Sequence, residues 1–78
     1  MYIRIYDNKI EFDGVSNLDS KALGKAFGKC EEMLEYLNIP CDTENIYGTK
    51  TKMWYKIELT EDQIEELERK FVYGDKSH

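Results

Sequence analysis

Thr51-Lys52-Met53-Trp54-Tyr55-Lys56-Ile57-Glu58-Leu59 alternates with a period of two, the signature of a strand with one face in a core. Met53, Tyr55, Ile57 and Leu59 point one way. Lys52, Trp54, Lys56 and Glu58 point the other, which sets the single tryptophan of the chain between two lysines on the face a one-layer sheet leaves open. The strand runs directly into helix signals. Thr60 and Gln63 form a T-x-x-Q capping box, and Leu59 and Ile64 occupy the N′ and N4 positions of a hydrophobic staple. Glu61, Asp62 and Glu65 lie near the positive end of that helix, Arg69 and Lys70 near the negative end. Ile64, Leu67 and Phe71 make its apolar stripe, Gly74 is its stop, and Asp75 to His78 form a loose tail after a domain spanning 1–74.

The other end of the chain carries an equally explicit pattern. Asp7-Asn8 is a two-residue turn of residue types that accept positive φ, as a type I′ hairpin requires. With that turn as the loop, Tyr6 faces Lys9, Ile5 faces Ile10, Arg4 faces Glu11, Ile3 faces Phe12 and Tyr2 faces Asp13. A slip of one residue would send the isoleucines into water, so turn chemistry and apolar pattern agree on one register.

Between these ends, Gly14-Val15 turns the chain, and Ser16 to Asp19 has the S-x-x-D form of a capping-box variant that opens a helix to about Leu37. Ala22, Leu23, Ala26, Phe27, Cys30, Met33, Leu34 and Leu37 recur at steps of three and four, one apolar stripe. Asn38 can end the helix, and Pro40 cannot continue it. Gly24 and Gly28 sit inside it at a cost of ~1 kcal/mol each against alanine. Close packing of a strand or of the second helix accounts for them most simply, with a close helix–helix dimer seam as the alternative. Glu44 to Tyr47 reads as a short strand, and Gly48-Thr49-Lys50 as the turn back into the main strand.

The order is therefore β-β-α-β-β-α. The expected fold is α+β, a small antiparallel sheet of three or four strands with two helices packed on one face. The expected core comprises Ile3, Ile5, Ile10, Phe12, Leu23, Phe27, Cys30, Leu34, Leu37, Met53, Tyr55, Ile57, Leu59, Ile64, Leu67 and Phe71.

Composition narrows the function. The chain has 78 residues, 41% of them hydrophobic and 35% charged, which suits one small globular domain. It has no apolar run long enough for a membrane span and no secretory leader pattern. Cys30 and Cys41 are too few for a disulfide scaffold, and with His78 as the sole histidine they do not make a zinc site. Two free thiols point to the cytoplasm. Cys30 falls in the apolar stripe, and Cys41 has no histidine partner outside the tail, so neither reads as a nucleophile. There is no phosphate-binding glycine loop and no calcium-loop spacing. No catalytic residue, metal ligand or cofactor is expected, and an enzyme is the least favoured class.

Two surfaces remain as candidates. If the first strand lies near the main strand, Tyr2, Arg4 and Tyr6 share the open sheet face with Lys52, Trp54 and Lys56. Rings among cations suit either a protein interface or a single-stranded nucleic acid site, and they equally suit cross-strand pairing that only shields the sheet. The second surface is acidic: Glu61, Asp62, Glu65, Glu66 and Glu68, with Glu31, Glu32 and Glu35. It is either a solvated helix face or a patch that occupies a basic groove on a partner, as small acidic phage-borne inhibitors do. The net charge of −5 weighs against bulk nucleic-acid binding. The leading expectation is a non-enzymatic protein-binding module, an inhibitor or adaptor acting through charged patches. Single-stranded nucleic acid binding on the open sheet face is the alternative, and a homodimer through the sheet or the glycine face is a further option.

Overall fold

The computed structural model describes residues 2–16 and 18–73. The elements are β1 (Tyr2–Tyr6), β2 (Lys9–Asp13), α1 (Ser20–Tyr36), a 3-10 turn (Thr43–Asn45), β3 (Ile46–Gly48), β4 (Lys52–Lys56) and α2 (Glu61–Leu67), which runs on as a π-helical turn over Glu68–Val72. The four strands form one antiparallel sheet in the order β1-β2-β4-β3. This is the expected α+β arrangement with the expected order of elements. No helix among the described residues is long and apolar enough to cross a membrane. The expected stop at Gly74 and the tail at 75–78 lie outside the described residues.

The hairpin has the register its turn dictates, from Tyr6 opposite Lys9 to Tyr2 opposite Asp13. Asp7 and Asn8 both take positive φ, 48° and 56°, as a type I′ loop needs for its twist to match the strands. The strand beside β4, however, is β2 and not β1. Ile10 pairs with Tyr55 and Phe12 with Met53, and all four side chains are buried. Both ends of this central pair are secured. The carbonyl of Thr51 accepts the N–H groups of Gly14 and Val15, and the carbonyl of Asn8 accepts that of Ile57. The regular strand is thus Lys52–Lys56, shorter than the alternation from 51 to 59, although Ile57 and Leu59 still pack against the core.

Helix α1 starts later than Ser16. Asp19 is its N-cap, accepting from the N–H groups of Lys21 and Ala22 at 3.1 and 3.2 Å. Ser16 instead closes a local turn, its hydroxyl accepting from Leu18 N–H and its carbonyl from Asp19 N–H. The turn is needed because Val15 is drawn into the core. The helix ends in a Schellman motif: Asn38 at φ 60° donates to Glu35, and Ile39 donates to Leu34. One cluster joins Ile10, Phe12, Met53 and Tyr55 of the sheet to Ala26, Cys30, Met33 and Leu34 of α1 and to Leu67 and Phe71. Both helices therefore bury against the same sheet face. They also touch each other, with the rings of Tyr36 and Phe71 edge to face at 5.8 Å and the Tyr36 hydroxyl donating to Glu66. Of the expected core, Ile3, Ile5, Leu23, Phe27, Leu37, Ile57 and Leu59 are half-buried and pack against this cluster, while Ile64 is half-buried without belonging to it. Val15, Ala26 and Met33 are buried members beyond the expected core.

Gly24 and Gly28 overturn the packing expectation. A Cβ on either would meet nothing within 4 Å among the described residues, so none of the described elements presses on them. The stretch before β4 also differs, because Glu44 and Asn45 belong to the 3-10 turn, capped by the Asp42 carboxylate, and only Ile46–Gly48 pairs with β4. The Tyr55 hydroxyl accepts the N–H of Asp42 at 2.9 Å, tying this connection to the central strand.

The capping box at the last helix is complete. Thr60 N–H donates to the Gln63 side chain, and Gln63 N–H donates to the Thr60 hydroxyl.

Candidate functional site

With both helices on one side, no element among the described residues covers the outer face of the sheet, and the even-numbered residues of β1 and β4 lie on it. Tyr2, Arg4 and Tyr6 share that face with Lys52, Trp54 and Lys56, as expected, but β2 runs between the two groups and contributes Lys9, Glu11 and Asp13. The registers make three cross-strand rows: Arg4, Glu11, Trp54 and Tyr47; Tyr6, Lys9 and Lys56; and Tyr2, Asp13 and Lys52.

Glu11 is the centre of this face and the one residue the sequence pattern misplaces. Alternation assigns it to the solvent side, yet it is 0% exposed. The longer side chains around it close over it. Arg4 donates to Oε2 through Nη2 at 2.5 Å and through Nε at 3.1 Å. The Tyr6 hydroxyl donates to Oε1 at 3.1 Å, and Lys52 Nζ stands 3.5 Å from the same oxygen. Burial pushes the carboxyl upward, but the hydrogen bonds from Arg4 and Tyr6 and the charges of Arg4 and Lys52 outweigh it. The net result lies below the ordinary 4.5. Glu11 is therefore a fixed anion that holds Arg4 and Tyr6 in place.

At the β4–β3 side the rings of Trp54 and Tyr47 stack at 6.1 Å and 13°. Lys56 Nζ lies 5.4 Å from the Tyr47 ring centre, and Lys9 Nζ lies over both Tyr6 and Trp54, at 4.8 and 5.5 Å. Such contacts orient the lysine heads without neutralising them. Tyr2 and Tyr47 are well exposed, at 60% and 45%, and Trp54 is half-buried. Tyr47 and Lys9 were not singled out from the sequence. The signal for Lys9 was its hairpin pairing with Tyr6. That for Tyr47 was weaker, because the limits of β3 are not readable from so short a segment.

No family model, curated protein or solved structure matches this chain. Its chemistry rests on its own geometry.

Glu61, Asp62 and Glu65 lie apart from the sheet group, exposed on α2. Glu61 and Asp62 occupy its first turn, where the helix dipole favours carboxylates. Glu65 pairs with Arg69 at 2.8 Å, one turn on. The two expected surfaces are thus separate. Neither thiol is primed for attack. Burial, then Cys41 and Glu31, pushes the Cys30 thiol up to about 12. Desolvation, then Glu31 and Asp42, raises Cys41 as well.

Proposed function

We propose that the protein is a non-enzymatic binding module that docks a protein partner on the outer face of its sheet, as an adaptor or inhibitor. The observation that carries this reading is the uncovered face itself, where Tyr2, Arg4, Tyr47 and Trp54 stand among Lys9, Lys52 and Lys56. Tyrosine, tryptophan and arginine are the residue types that dominate binding energy at protein interfaces. They stand here on strands rather than on a loop, so little order has to be gained on docking. The partner surface is acidic, because the cations of this face outnumber Glu11 and Asp13, and Glu11 is already consumed by its own neighbours. Two free thiols favour a cytoplasmic setting.

Single-stranded nucleic acid is the second reading, favoured by the near-parallel Trp54–Tyr47 pair beside Lys56. It ranks lower for two reasons. The net charge is −5, and Lys9 and Lys56 already cover ring faces that bases would have to occupy.

The test is affinity capture from the source cells, followed by measurement with the purified partner. Trp54→Ala/Lys56→Glu should weaken binding by about 30-fold or more, while Glu61→Lys/Glu65→Lys leaves it unchanged. The reverse pattern would move the site to α2. Oligothymidylate at low salt should leave Trp54 fluorescence unaltered. Quenching that salt reverses would replace the protein reading with the nucleic-acid one.

A further inference from the structure

The sheet order leaves β1 at an edge. Its two-residue turn makes Tyr6 and Lys9 a pair that exchanges both backbone hydrogen bonds, and the alternation then repeats at Arg4 with Glu11 and at Tyr2 with Asp13. The N–H and C=O groups of Ile3 and Ile5 consequently point away from the sheet. Among the described residues no backbone group bonds to them across that edge. Protected edges carry proline, a bulge, charged side chains or a cover. Tyr2-Ile3-Arg4-Ile5-Tyr6 has no proline and no bulge, and its one charge, Arg4, is bound to Glu11 of the neighbouring strand. The other edge is guarded. β3 is three residues long, and its outward Ile46 N–H is taken by the carbonyl of Thr43 in the 3-10 turn.

Alongside the open edge runs a groove of about 500 Å³, lined by β1 from Tyr2 to Tyr6 together with Lys29, Glu68, Phe71 and Tyr73. An added strand would place alternate side chains in this groove and the rest on the outer face. β1 itself has that alternation, with isoleucines toward the groove and tyrosines outward.

We propose that β1 pairs antiparallel with β1 of a second copy about a two-fold axis at Arg4, which joins the two sheets into one. Ile3 then exchanges both backbone bonds with Ile5 of the second copy, and Tyr2 lies beside its Tyr6. Arg4 meets Arg4, but each guanidinium is already bound to its own Glu11 and lies 3.9 Å from its own Asp13, so the axis does not bring two unpaired cations together. The charged residues lining the groove are Arg4, Lys29 and Glu68. Arg4 is held by its own Glu11, which leaves Lys29 and Glu68 as the pair a two-fold axis can bring together crosswise. A dimer of this form also makes the two outer faces continuous, although the inference stands without the reading of that face as a docking site.

Sedimentation over a wide concentration range tests it. The mass should rise from 9.3 kDa to twice that value. A synthetic chain with N-methyl-Ile5, which removes an outward N–H and no intramolecular bond, should keep its circular dichroism and associate about tenfold or more weakly. A single mass at every concentration overturns the proposal, as does a dimer that N-methylation leaves intact. If the methylated chain does not fold, amide exchange of the unmodified protein decides. Ile3 and Ile5 amides that slow with dimerisation support the edge pairing, and amides that stay unprotected in the dimer overturn it.

Discussion

Glu11→Gln removes one charge from the centre of the outer face and keeps the size of the side chain. One carboxylate oxygen now takes the two Arg4 bonds, and the other takes the Tyr6 hydroxyl and faces Lys52. An amide has only one oxygen, so one of these sets loses its acceptor. Hydrogen bonds to a charged group contribute about 1.5–3 kcal/mol net. Arg4 and Lys52 are partly in water, which favours the lower half of that range, about 2 kcal/mol. For a domain of this size that corresponds to a fall in Tm of roughly 8–16 °C. The pH dependence supplies the sharper signature. The folded-state carboxyl titrates below its ordinary 4.5, so its stabilisation is complete above that value and disappears as pH falls through the folded-state value. Urea titrations followed by circular dichroism at pH 7 and in strong acid should therefore give a large difference between wild type and variant at pH 7 and a small one in acid. Equal stability at pH 7, or a gap of the same size in acid, would refute the assignment of Glu11 as a buried, paired anion.

Gly24→Ala and Gly28→Ala should each stabilise the fold by about 1 kcal/mol, and together add, because a Cβ meets nothing at either site. Thermal melts of the single and double variants check this, and a loss of stability would mean a close neighbour at that face. Thr60→Ala breaks the complete capping box and should cost about 1 kcal/mol in chemical denaturation. Iodoacetamide in native buffer should label Cys41 alone, since Cys30 is buried with its thiol raised to about 12, and both should react in denaturant. Mass spectrometry reads the sites, and labelling of Cys30 under native conditions would contradict its burial.

The hairpin register was legible because two independent constraints, positive-φ turn residues and inward isoleucines, select the same pairing. The capping box of the last helix was legible for the same reason, as local chemistry and the apolar pattern coincide at Leu59 and Thr60. Strand order was not. Ile3 and Ile5 of β1 have the same alternation as Ile10 and Phe12 of β2, and only packing distinguishes the half-buried pair from the fully buried one. Ser16 and Asp19 can both cap a helix, and the choice fell to Asp19 because burial of Val15 requires a turn first. Glu11 shows the limit of strand periodicity. The period assigns a residue to a face, but it does not reveal that Arg4, Tyr6 and Lys52 will reach across and seal its centre. The outer face was therefore legible in its even-numbered members on β1 and β4, and not in the anion that organises them.

The securing of β2 to β4 at both ends bears on how this chain can change in length over evolutionary time. Asn8 holds one end of the pair and Thr51 the other, so an inserted or deleted residue in either hairpin loop displaces a bond to the central ladder. Growth has to occur elsewhere. Leu18, 87% exposed in the turn before α1, and the connection after the Schellman end of α1 are the places where added sequence leaves the sheet untouched. Of the two, the segment just after Pro40 is the more restricted, because Tyr55 holds Asp42. Divergent lengths in descendants of this chain should therefore gather around Leu18, while the spacing from Asn8 to Val15 and from Thr51 to Ile57 stays fixed.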